Sequence, residues 1–249
     1  MPLQKLYDHA IEFEKDMILL KPAKVYPLSV LERNSLDLWI DEELVKGYIQ
    51  LSTSPIAALF FFIKKYDGSL CLVMDYRALN GITIKNHYLI PQIADLIELL
   101  SYTLIFTKND LRWGYNNVHI KKGDEWKTAF ITKRGLFEAK VMYFGFSNAP
   151  AIFQNMINDI LGDLIHIEYV IVYLDDILIF GINKKEYRQL VKKVLKKLQE
   201  NNLYAKAEKC FFEQNSIKYL GMIISENKVQ IDEKKLSEVL EWPVSTKVK

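Results

Sequence analysis

Two adjacent aspartates interrupt an apolar run, and this pair limits what the chain can fold into more than any other feature. The run is VIVYLDDILIF, Val170–Phe180, and it carries Asp175 and Asp176 with no lysine or arginine from Tyr169 until Lys184. The flanking segments have the composition and length of β-strands, which predicts a hairpin with both aspartates at its turn. Asp-Asp is a poor choice for a tight turn, and two like charges repel and are costly to bury unpaired. Two interpretations remain: a plain exposed turn, or a site where divalent cations supply the missing positive charge.

The cation interpretation requires a third carboxylate. Hard cations such as Mg²⁺ prefer carboxylate oxygens and are completed by water and substrate phosphates. Two such ions about 3.5–4 Å apart can activate an attacking oxygen and stabilise a leaving one in phosphoryl transfer. One hairpin is not enough for two ions, so we expect a carboxylate from another strand. Asp110, which ends the strand-like LIFTKN, is the best placed candidate, whereas Asp67, Asp124 and Glu125 lie in polar turn-like contexts and are expected to face solvent.

Composition is that of an ordinary globular protein. A chain of 249 residues that is 50% hydrophobic can bury a substantial core, and a net charge of +2 from 33 basic and 31 acidic residues gives no strong positive field. A nucleic-acid partner must therefore be argued locally. Cys71 and Cys210 fit neither a disulfide framework nor a zinc cluster, and the acids of MPLQKLYDHAIEFEKD do not suit a signal peptide. With no apolar stretch near the roughly 20 residues of a membrane span, we expect a reduced intracellular protein with no membrane partner.

Turn and spacing signals predict a mixture of strands and helices. Apolar residues recur at helical spacing after Ala149 and again after Asn183, which predicts two amphipathic helices. The lysines at 192, 193, 196 and 197 fall largely off the second apolar stripe and are interpreted as a solvated face, with nucleic-acid contact as the alternative. Four further elements are predicted: a helix capped by Ser35 and ended by Gly47, a hairpin of ALFFFIKK and LCLVMDY about Asp67-Gly68, a short helix in PQIADLIELL, and a β-meander over residues 116–144 with turns at Gly123 and Gly135.

A series of sequence blocks runs in one order along almost the whole chain. The blocks are DHAIEF, KVYPLS, KKYDGSL, DYRALN, TIKNHY, FTKNDLRWGYNNVHIKKGDEWKTAFIT, RGLFEAKVMYFGFSNAPAIFQNMINDI, VYLDDILIF, AEKCFF, YLGMIIS and EWP. Together they resemble the reverse transcriptase of gypsy-type LTR retrotransposons. YLDD followed by an apolar strand is the strongest block, and the number of blocks in a fixed order makes the resemblance highly specific.

The resemblance implies an α+β fold of the right-hand polymerase type, with an antiparallel palm sheet packed on helices. The implied division is a lead-in segment and helix over 1–46, fingers over 47–84 and 118–147, palm over 85–117 and 148–226, and the start of a truncated thumb over 227–249. Because the chain stops after EWPVSTKVK, we expect a fragment of a polyprotein.

The same resemblance implies the roles of particular residues. Asp110, Asp175 and Asp176 are the implied catalytic carboxylates and would hold two Mg²⁺ ions, with Mn²⁺ as a substitute. A primer 3′-hydroxyl would attack the α-phosphate of a dNTP, and pyrophosphate would be released. The implied partners are an RNA or DNA template with its primer, and dNTPs. Nucleotide contacts are implied for Lys65, Leu111 (through its main-chain oxygen), Tyr115 (as a steric gate against a 2′-hydroxyl), Phe144 and Gly145, and template or primer contacts for Arg77, Gln154, Tyr219, Leu220 and Gly221.

Some positions depart from the family pattern, and they leave two functions open. Cys71 stands where an arginine would grip the triphosphate, and a thiol cannot supply that bidentate, permanently charged fork. Asn109 and Lys140 stand at positions that are usually apolar. The chain is therefore expected to be an RNA-directed DNA polymerase core weakened in nucleotide binding, or a catalytically inactive remnant that at most binds nucleic acid. A metal-dependent nuclease or an unrelated α+β binding domain would require the ordered matches to arise by chance.

Overall fold

The chain divides into two units, and each is built from two separate segments. A computed structural model describes residues 7–14, 27–64, 68, 70–91, 100, 103–165, 167, 169–226 and 228–241. The first unit combines Met1–Leu89 with Trp113–Met156, and the second combines Ile90–Arg112 with Ile157–Lys249. The finer division into lead-in, fingers, palm and thumb stays a prediction.

The first unit opens with a helix whose start differs from the predicted one. Helix α1, Val30–Lys46, begins after Ser29 and not after Ser35, because Ser29 and Glu32 form a reciprocal capping box. The Ser29 main-chain N–H donates to Glu32 Oε2 at 2.8 Å, and the Glu32 N–H donates to Ser29 Oγ at 3.3 Å. The predicted stop is confirmed, since Gly47 adopts a left-handed φ of 71° and donates to the last carbonyls of the helix.

Two small antiparallel sheets and a short helix complete the first unit. The predicted hairpin is confirmed: its strands pair from Leu59 opposite Asp75 to Lys64 opposite Leu70, while Asp67 of the predicted turn lies outside the described residues. The predicted meander was partly wrong, because only one hairpin, with Thr132 opposite Gly135, forms there. The elements are β1 (Ile49–Leu51), β2 (Leu59–Lys64), β3 (Leu70–Asp75), α2 (Arg77–Ile82), β5 (Phe130–Thr132) and β6 (Gly135–Ala139), with sheet orders β2-β3 and β1-β6-β5.

The second unit is organised around a four-stranded antiparallel sheet of order β7-β8-β4-β9. One face of the inner strand Ile105–Asp110 meets the helix Lys184–Glu200, since the hydroxyl groups of Thr107 and Tyr187 share a hydrogen bond. Both predicted amphipathic helices are confirmed, and the second is N-capped by Asn183. The bounds are β4 (Ile105–Asp110), β7 (Val170–Tyr173), β8 (Asp176–Gly181), α4 (Lys184–Glu200) and β9 (Phe211–Gln214). The other predicted helix, α3 (Ala149–Ile165), begins in the first unit, which ends at Met156, and continues into the second.

A second, three-stranded sheet packs on the other face of strand β4. Its order is β10-β11-β12, and its apolar side chains join Phe106 and those of β7 and β8 in one core: Leu100, Phe106, Ile171, Leu178, Phe180, Ile217, Tyr219 and Ile224. The strands are β10 (Ser216–Tyr219), β11 (Met222–Ser225) and β12 (Lys228–Ile231), and helix α5, Glu233–Leu240, follows them.

Two further sequence predictions concern a short helix and membrane contact. The short helix predicted in PQIADLIELL falls on residues 92–99, which lie outside the described residues. Among the helices of the described part of the chain, none has the length and apolar character required to cross a membrane.

Candidate active site

The pairing of β4 with β8 places two aspartates directly opposite each other. Asp110 ends β4, Asp176 begins β8, and the two are partners in the antiparallel register. Asp110 is buried, with 8% of its surface exposed, and Asp176 is half-buried. The structure therefore brings together two of the three predicted catalytic carboxylates, from positions 66 residues apart in the chain.

The hairpin that carries the third carboxylate differs from the predicted one by one residue. Leu174 and Asp175 form the turn, and Asp176 is already in β8, opposite Tyr173. Leu174 has a left-handed φ of 54°, which costs a non-glycine residue about 1–3 kcal/mol and must be stabilised by its surroundings. One stabilising contact is the Leu111 N–H, which donates to the Asp175 carbonyl oxygen at 2.9 Å. This bond ties the Asp175 turn to the residue that follows Asp110, while the predicted role of the Leu111 carbonyl stays a prediction.

Three lysines surround these carboxylates. Lys108 Nζ lies 2.8 Å from Asp176 Oδ1, and Lys206 Nζ and Lys209 Nζ lie 3.1 and 3.4 Å from the two Asp110 oxygens. These ammonium groups supply positive charge next to the aspartates of the apolar run. The sequence reasoning missed them because it looked for cations next to Asp175 and Asp176 in the chain. One signal in the sequence could have found Lys108. Side chains alternate between the two faces of a strand, so Lys108 and Asp110 lie on the same face of β4.

The carboxylates nevertheless remain poorly satisfied. Asp110 Oδ1 and Asp176 Oδ1 are inaccessible to solvent and accept no hydrogen bond of good geometry from the described residues, although lysine ammonium groups lie 3.1 and 2.8 Å away. The pKa of Asp175 is raised, chiefly because burial penalises its charged form and further because Asp176 and Asp110 are close. The site thus gathers three carboxylates, and three lysine ammonium groups lie beside two of them.

The donor chemistry fits Mg²⁺ or Mn²⁺, because both prefer oxygen ligands and all three acids supply them. Within the described residues, no three His, Cys, Asp or Glu side chains are already gathered closely enough to hold a metal ion. The oxygens of Asp110 and Asp176 that contact the lysine ammonium groups are the groups that fit a cation.

A buried neutral polar side chain precedes Asp110 in the same strand and faces the opposite side of the sheet. Asn109 is completely buried, and neither its Oδ1 nor its Nδ2 forms a hydrogen bond with a described residue. Its position opposite Ile177 in the sheet is one that an apolar residue would fill without leaving polar atoms unpaired. Asn109, which departs from the family pattern, is therefore expected to lower the stability of the fold at the residue before Asp110.

In the first unit, the predicted steric-gate residue belongs to an aromatic cluster. Tyr115 lies in a 3₁₀ turn, Gly114–Asn117, and its ring meets the Phe144 ring edge-on at 4.7 Å and the Phe153 ring at 5.5 Å between centroids. Gly114 is required for this packing, because a Cβ there would lie 2.9 Å from the Phe153 ring. The side chain of Phe144 is 70% exposed. Tyr115 and Phe144 thus form one aromatic platform with an accessible surface.

Gly145 follows Phe144 in a conformation that favours glycine. Its φ is +112°, and a Cβ would lie 3.2 Å from the Met74 carbonyl oxygen. Asn80 Nδ2 donates to the Gly145 carbonyl at 2.7 Å. The segment at Phe144 and Gly145 is thereby held close to β3 and α2 of the same unit.

The predicted template and primer residues lie in varied surroundings. Arg77 is exposed and makes a bidentate pair with Asp75, at 2.8 Å from Nε and 2.7 Å from Nη2, which holds the pKa of Asp75 below its usual value. Gln154 is completely buried, and Lys65 lies outside the described residues. Cys71 is half-buried in β3, opposite Ile63. The roles assigned to Arg77, Gln154 and Lys65 stay predictions.

The predicted primer-grip residues form a tight turn close to the carboxylates. Tyr219 is buried, and its hydroxyl donates to the Asp176 carbonyl oxygen at 3.3 Å. Leu220 and Gly221 connect β10 to β11 with φ values of 49° and 79°, the positive pair expected of a type I′ hairpin. Lys108 Nζ lies 5.8 Å from the centre of the Tyr219 ring. This turn and the Asp176 strand are therefore connected through the side chains of Tyr219 and Lys108.

Solved structures share this architecture. The foamy viral protease-reverse transcriptase in complex with an RNA/DNA hybrid is similar with a TM-score of 0.82 at 21% sequence identity, over 94% of this chain and 31% of that chain. A structure of the foamy viral protein in complex with dsDNA is similar with a TM-score of 0.84 at 22% identity, over 97% and 50% of the two chains. The predicted right-hand polymerase fold is confirmed.

Sequence similarity assigns the chain to a family within that fold. Residues 63–224 match the family described as reverse transcriptase (RNA-dependent DNA polymerase), and the chain belongs to this family. The Tf2-3 and Tf2-7 transposon polyproteins of Schizosaccharomyces pombe are each 38% identical to it over 221 residues, which is 89% of this chain and 16% of each polyprotein. The predicted kinship with gypsy-type LTR retrotransposons is confirmed, and the chain spans about a sixth of the length of these curated relatives.

Proposed function

We propose that this chain is the catalytic core of an RNA-directed DNA polymerase, which adds dNTPs to a primer 3′-hydroxyl. The observation that carries the proposal is the register of Asp110 with Asp176, beside the Asp175 turn, in a chain of the reverse transcriptase family. An antiparallel pair of strands fixes these carboxylates on rigid elements, as a site with precise geometry requires. Three acids gathered with three lysines favour a site for charged groups over a structural cluster.

Asp110, Asp175 and Asp176 would hold two Mg²⁺ ions in this function. When bound, such ions supply charge stabilisation at the attacking and leaving oxygens of a phosphoryl transfer. The residues of the chain orient and balance that chemistry: the Leu111 N–H fixes the Asp175 turn, and Lys108 and Lys206 compensate part of the carboxylate charge. Tyr219, through its bond to the Asp176 carbonyl, ties the predicted primer-grip turn to the same strand.

The aromatic platform supports a deoxyribonucleotide substrate. An aromatic ring under the sugar would exclude a 2′-hydroxyl by steric conflict, and the Tyr115 ring is held for that task by Phe144 and Phe153. A fingers lysine at position 65 is a mobile point charge suited to a triphosphate. The proposed substrates are therefore dNTPs, with Tyr115 as the residue that selects them.

The proposed partner is a primed RNA or DNA template. The foamy viral proteins that share the fold are described in complex with an RNA/DNA hybrid and with dsDNA. The balanced net charge of +2 means that affinity must come from local contacts such as Arg77. Because such contacts are made mainly with phosphates, binding is expected to weaken steeply as salt increases.

A catalytically inactive remnant is the second candidate, and Cys71 favours it. A half-buried thiol in β3 cannot replace a charged, bidentate guanidinium at the position expected to grip the triphosphate. The buried, unpartnered Asn109 next to Asp110 points the same way.

Primer extension distinguishes the two candidates. The purified chain is tested on an RNA template with a DNA primer, dNTPs and Mg²⁺, beside the Asp176→Asn and Cys71→Arg variants. Extension that Asp176→Asn eliminates and Cys71→Arg improves supports a weakened polymerase. No extension by either the unmodified or the Cys71→Arg protein, when both are folded, supports the inactive remnant.

A further inference from the structure

A second buried acid, Glu43 on α1, lies outside the carboxylate site. Only 5% of its surface is exposed, and both of its carboxylate oxygens are occupied. Lys46 Nζ donates to Oε1 at 2.8 Å, and the Tyr143 hydroxyl donates to Oε2. Burial, and then the nearby Glu43 charge, raise the pKa of Tyr143, so its hydroxyl stays a donor. The Trp39 ring packs edge-on against Tyr143 at 5.9 Å between centroids, which completes a closed polar contact.

The Glu43 contact extends to the two chain segments that carry Tyr115 and Phe144. Tyr143 directly precedes Phe144. Lys46 Nζ lies 5.2 Å from the centre of the Trp113 ring, within the range of a cation–π interaction, and Trp113 precedes the 3₁₀ turn that contains Tyr115. Trp113 itself has a left-handed φ of 51°, and Asn117 Nδ2 donates to its carbonyl at 3.0 Å. One carboxylate therefore connects, through Tyr143 and Lys46, the backbone beneath Phe144 with the turn that carries Tyr115.

Phe144 is only partly fixed by packing. Its ring meets Tyr115 edge-on, but the residue is 70% exposed, so its position also depends on Tyr143 and Gly145 on either side. Gly145 is held by Asn80, and Tyr143 is held by Glu43. A displacement of about 1 Å in a group that positions substrate can change rates by two orders of magnitude. Loosening the Tyr143 anchor would widen the space between the Tyr115 and Phe144 rings.

We propose that Glu43 is a positioning residue for nucleotide selection. It fixes Phe144 relative to Tyr115 through Tyr143 and Lys46, and thereby sets how strongly the site discriminates a deoxyribonucleotide from a ribonucleotide. This inference rests on the proposed polymerase function and on the steric-gate role of Tyr115. It predicts that a residue on α1, without any contact to substrate, controls sugar selectivity.

The test compares Glu43→Gln with Glu42→Gln, a matched control that removes an exposed partner of the same lysine, 3.7 Å from Lys46 Nζ. Steady-state primer extension gives kcat and KM for a dNTP and for the corresponding rNTP. Glu43→Gln is expected to lower the dNTP/rNTP ratio of kcat/KM by roughly tenfold, a size typical of one misfitted group in a steric pocket. The change should lie mainly in a higher kcat/KM for the rNTP, because a wider space relieves the conflict with the 2′-hydroxyl, and Glu42→Gln should match the unmodified protein. An unchanged ratio in a folded Glu43→Gln protein overturns the proposal.

A second measurement is independent of catalysis. Hydrogen exchange by mass spectrometry is expected to show faster exchange in Glu43→Gln at both 113–118 and 143–147, and unchanged exchange there in Glu42→Gln. If the unmodified protein does not extend primers, the proposed function fails while this measurement still decides whether the anchor exists. Equal exchange at both segments in all three proteins overturns the anchor. Tyr143→Phe removes only one hydroxyl and is the variant to use if Glu43→Gln does not fold.

Discussion

Two sites with buried acids in the described part of the chain differ in the groups that balance their charge. At Glu43, in the first unit, a lysine and a tyrosine hydroxyl each donate a hydrogen bond to one carboxylate oxygen. At Asp110 and Asp176, in the second unit, lysines lie at ion-pair distance, and one oxygen of each acid accepts no hydrogen bond of good geometry from a described residue. A buried acid with a donor on each oxygen stabilises the fold, whereas several acids gathered with lysines are typical of a functional site.

This difference gives a criterion that burial alone does not provide. Glu43 and Asp110 are both buried to a similar degree. Their partners separate them: the Glu43 donors are a phenol and one lysine, whereas the Asp110 partners are two lysines from one distant segment. We therefore expect substitutions at the two sites to have opposite consequences for activity and for stability.

The largest expected effect is loss of activity at the open site. Asp176→Asn should reduce primer extension by roughly 10³-fold or more, because a metal ligand of a phosphoryl-transfer site contributes several kcal/mol to the barrier. Its melting temperature should change little, because the substitution also relieves repulsion among the carboxylates. Extension assays and thermal melts on the same preparation check both parts, and full activity in Asp176→Asn would refute the metal assignment.

The next largest effect is loss of stability at the closed site. Glu43→Gln should lower the free energy of unfolding by about 2 kcal/mol, because it leaves Lys46 and Tyr143 without their charged acceptor. Glu42→Gln removes only an exposed ion pair and should cost less than about 0.5 kcal/mol. Urea denaturation of the three proteins measures the difference. Equal unfolding midpoints would show that the Glu43 contact is not a stabilising one, and the comparison with Asp110 would lose its basis.

A third prediction concerns the neutral amide beside the open site. Asn109→Leu should raise the free energy of unfolding by about 1 kcal/mol, because it replaces two unpaired buried polar atoms with apolar ones of similar shape. The matched control is Asn148→Leu. Asn148 is also buried, but it donates to the Ile84 carbonyl at 2.8 Å and accepts from the Asn86 N–H at 3.1 Å, so its loss should be destabilising. Destabilisation by both substitutions would mean that Asn109 has a partner such as a buried water.

The smallest expected effect is a pH-dependent gain in stability when Asp175 is replaced by asparagine. Its pKa is raised above the ordinary value of 3.8, chiefly by burial, so the folded chain binds this proton more tightly than the unfolded chain does. Stability is therefore lost as pH rises from that ordinary value through the raised pKa. In metal-free buffer, Asp175→Asn should melt at a higher temperature than the unmodified protein at pH 7, and the difference should shrink as pH approaches 3.8. A difference that grows on acidification would reverse the assigned direction.

Local patterns in the sequence were sufficient for some elements and misleading for others. Apolar spacing after Ala149 and Asn183 predicted two helices correctly because each helix buries one continuous stripe. The start of α1 was missed although its signal is local: Ser29 is followed three residues later by Glu32, the pattern of a capping box. The turn at Leu174 could not be predicted from propensity, because leucine at positive φ is stabilised only by tertiary contacts.

The sequence indicated the acids of the candidate site but not the lysines that lie beside them. Asp110, Asp175 and Asp176 follow from ordered motifs, and the pairing of Asp110 with Asp176 agrees with the strand assignments. Lys206 and Lys209 approach Asp110 from nearly 100 residues further along the chain, and Glu43 and Tyr143 are 100 residues apart. No spacing rule connects such positions, because chain topology alone brings them together.

The register between β4 and β8 has a genetic consequence. Successive side chains of a strand face opposite sides of the sheet, so a one-residue shift exchanges the two faces. A single inserted or deleted codon between Ile105 and Asp110 would bring Asn109 or Leu111 into the place opposite Asp176, and the reading frame would stay intact. Such an in-frame change should inactivate a copy of this gene as completely as a stop codon, whereas many single-residue replacements on the outer strand β9 should be tolerated.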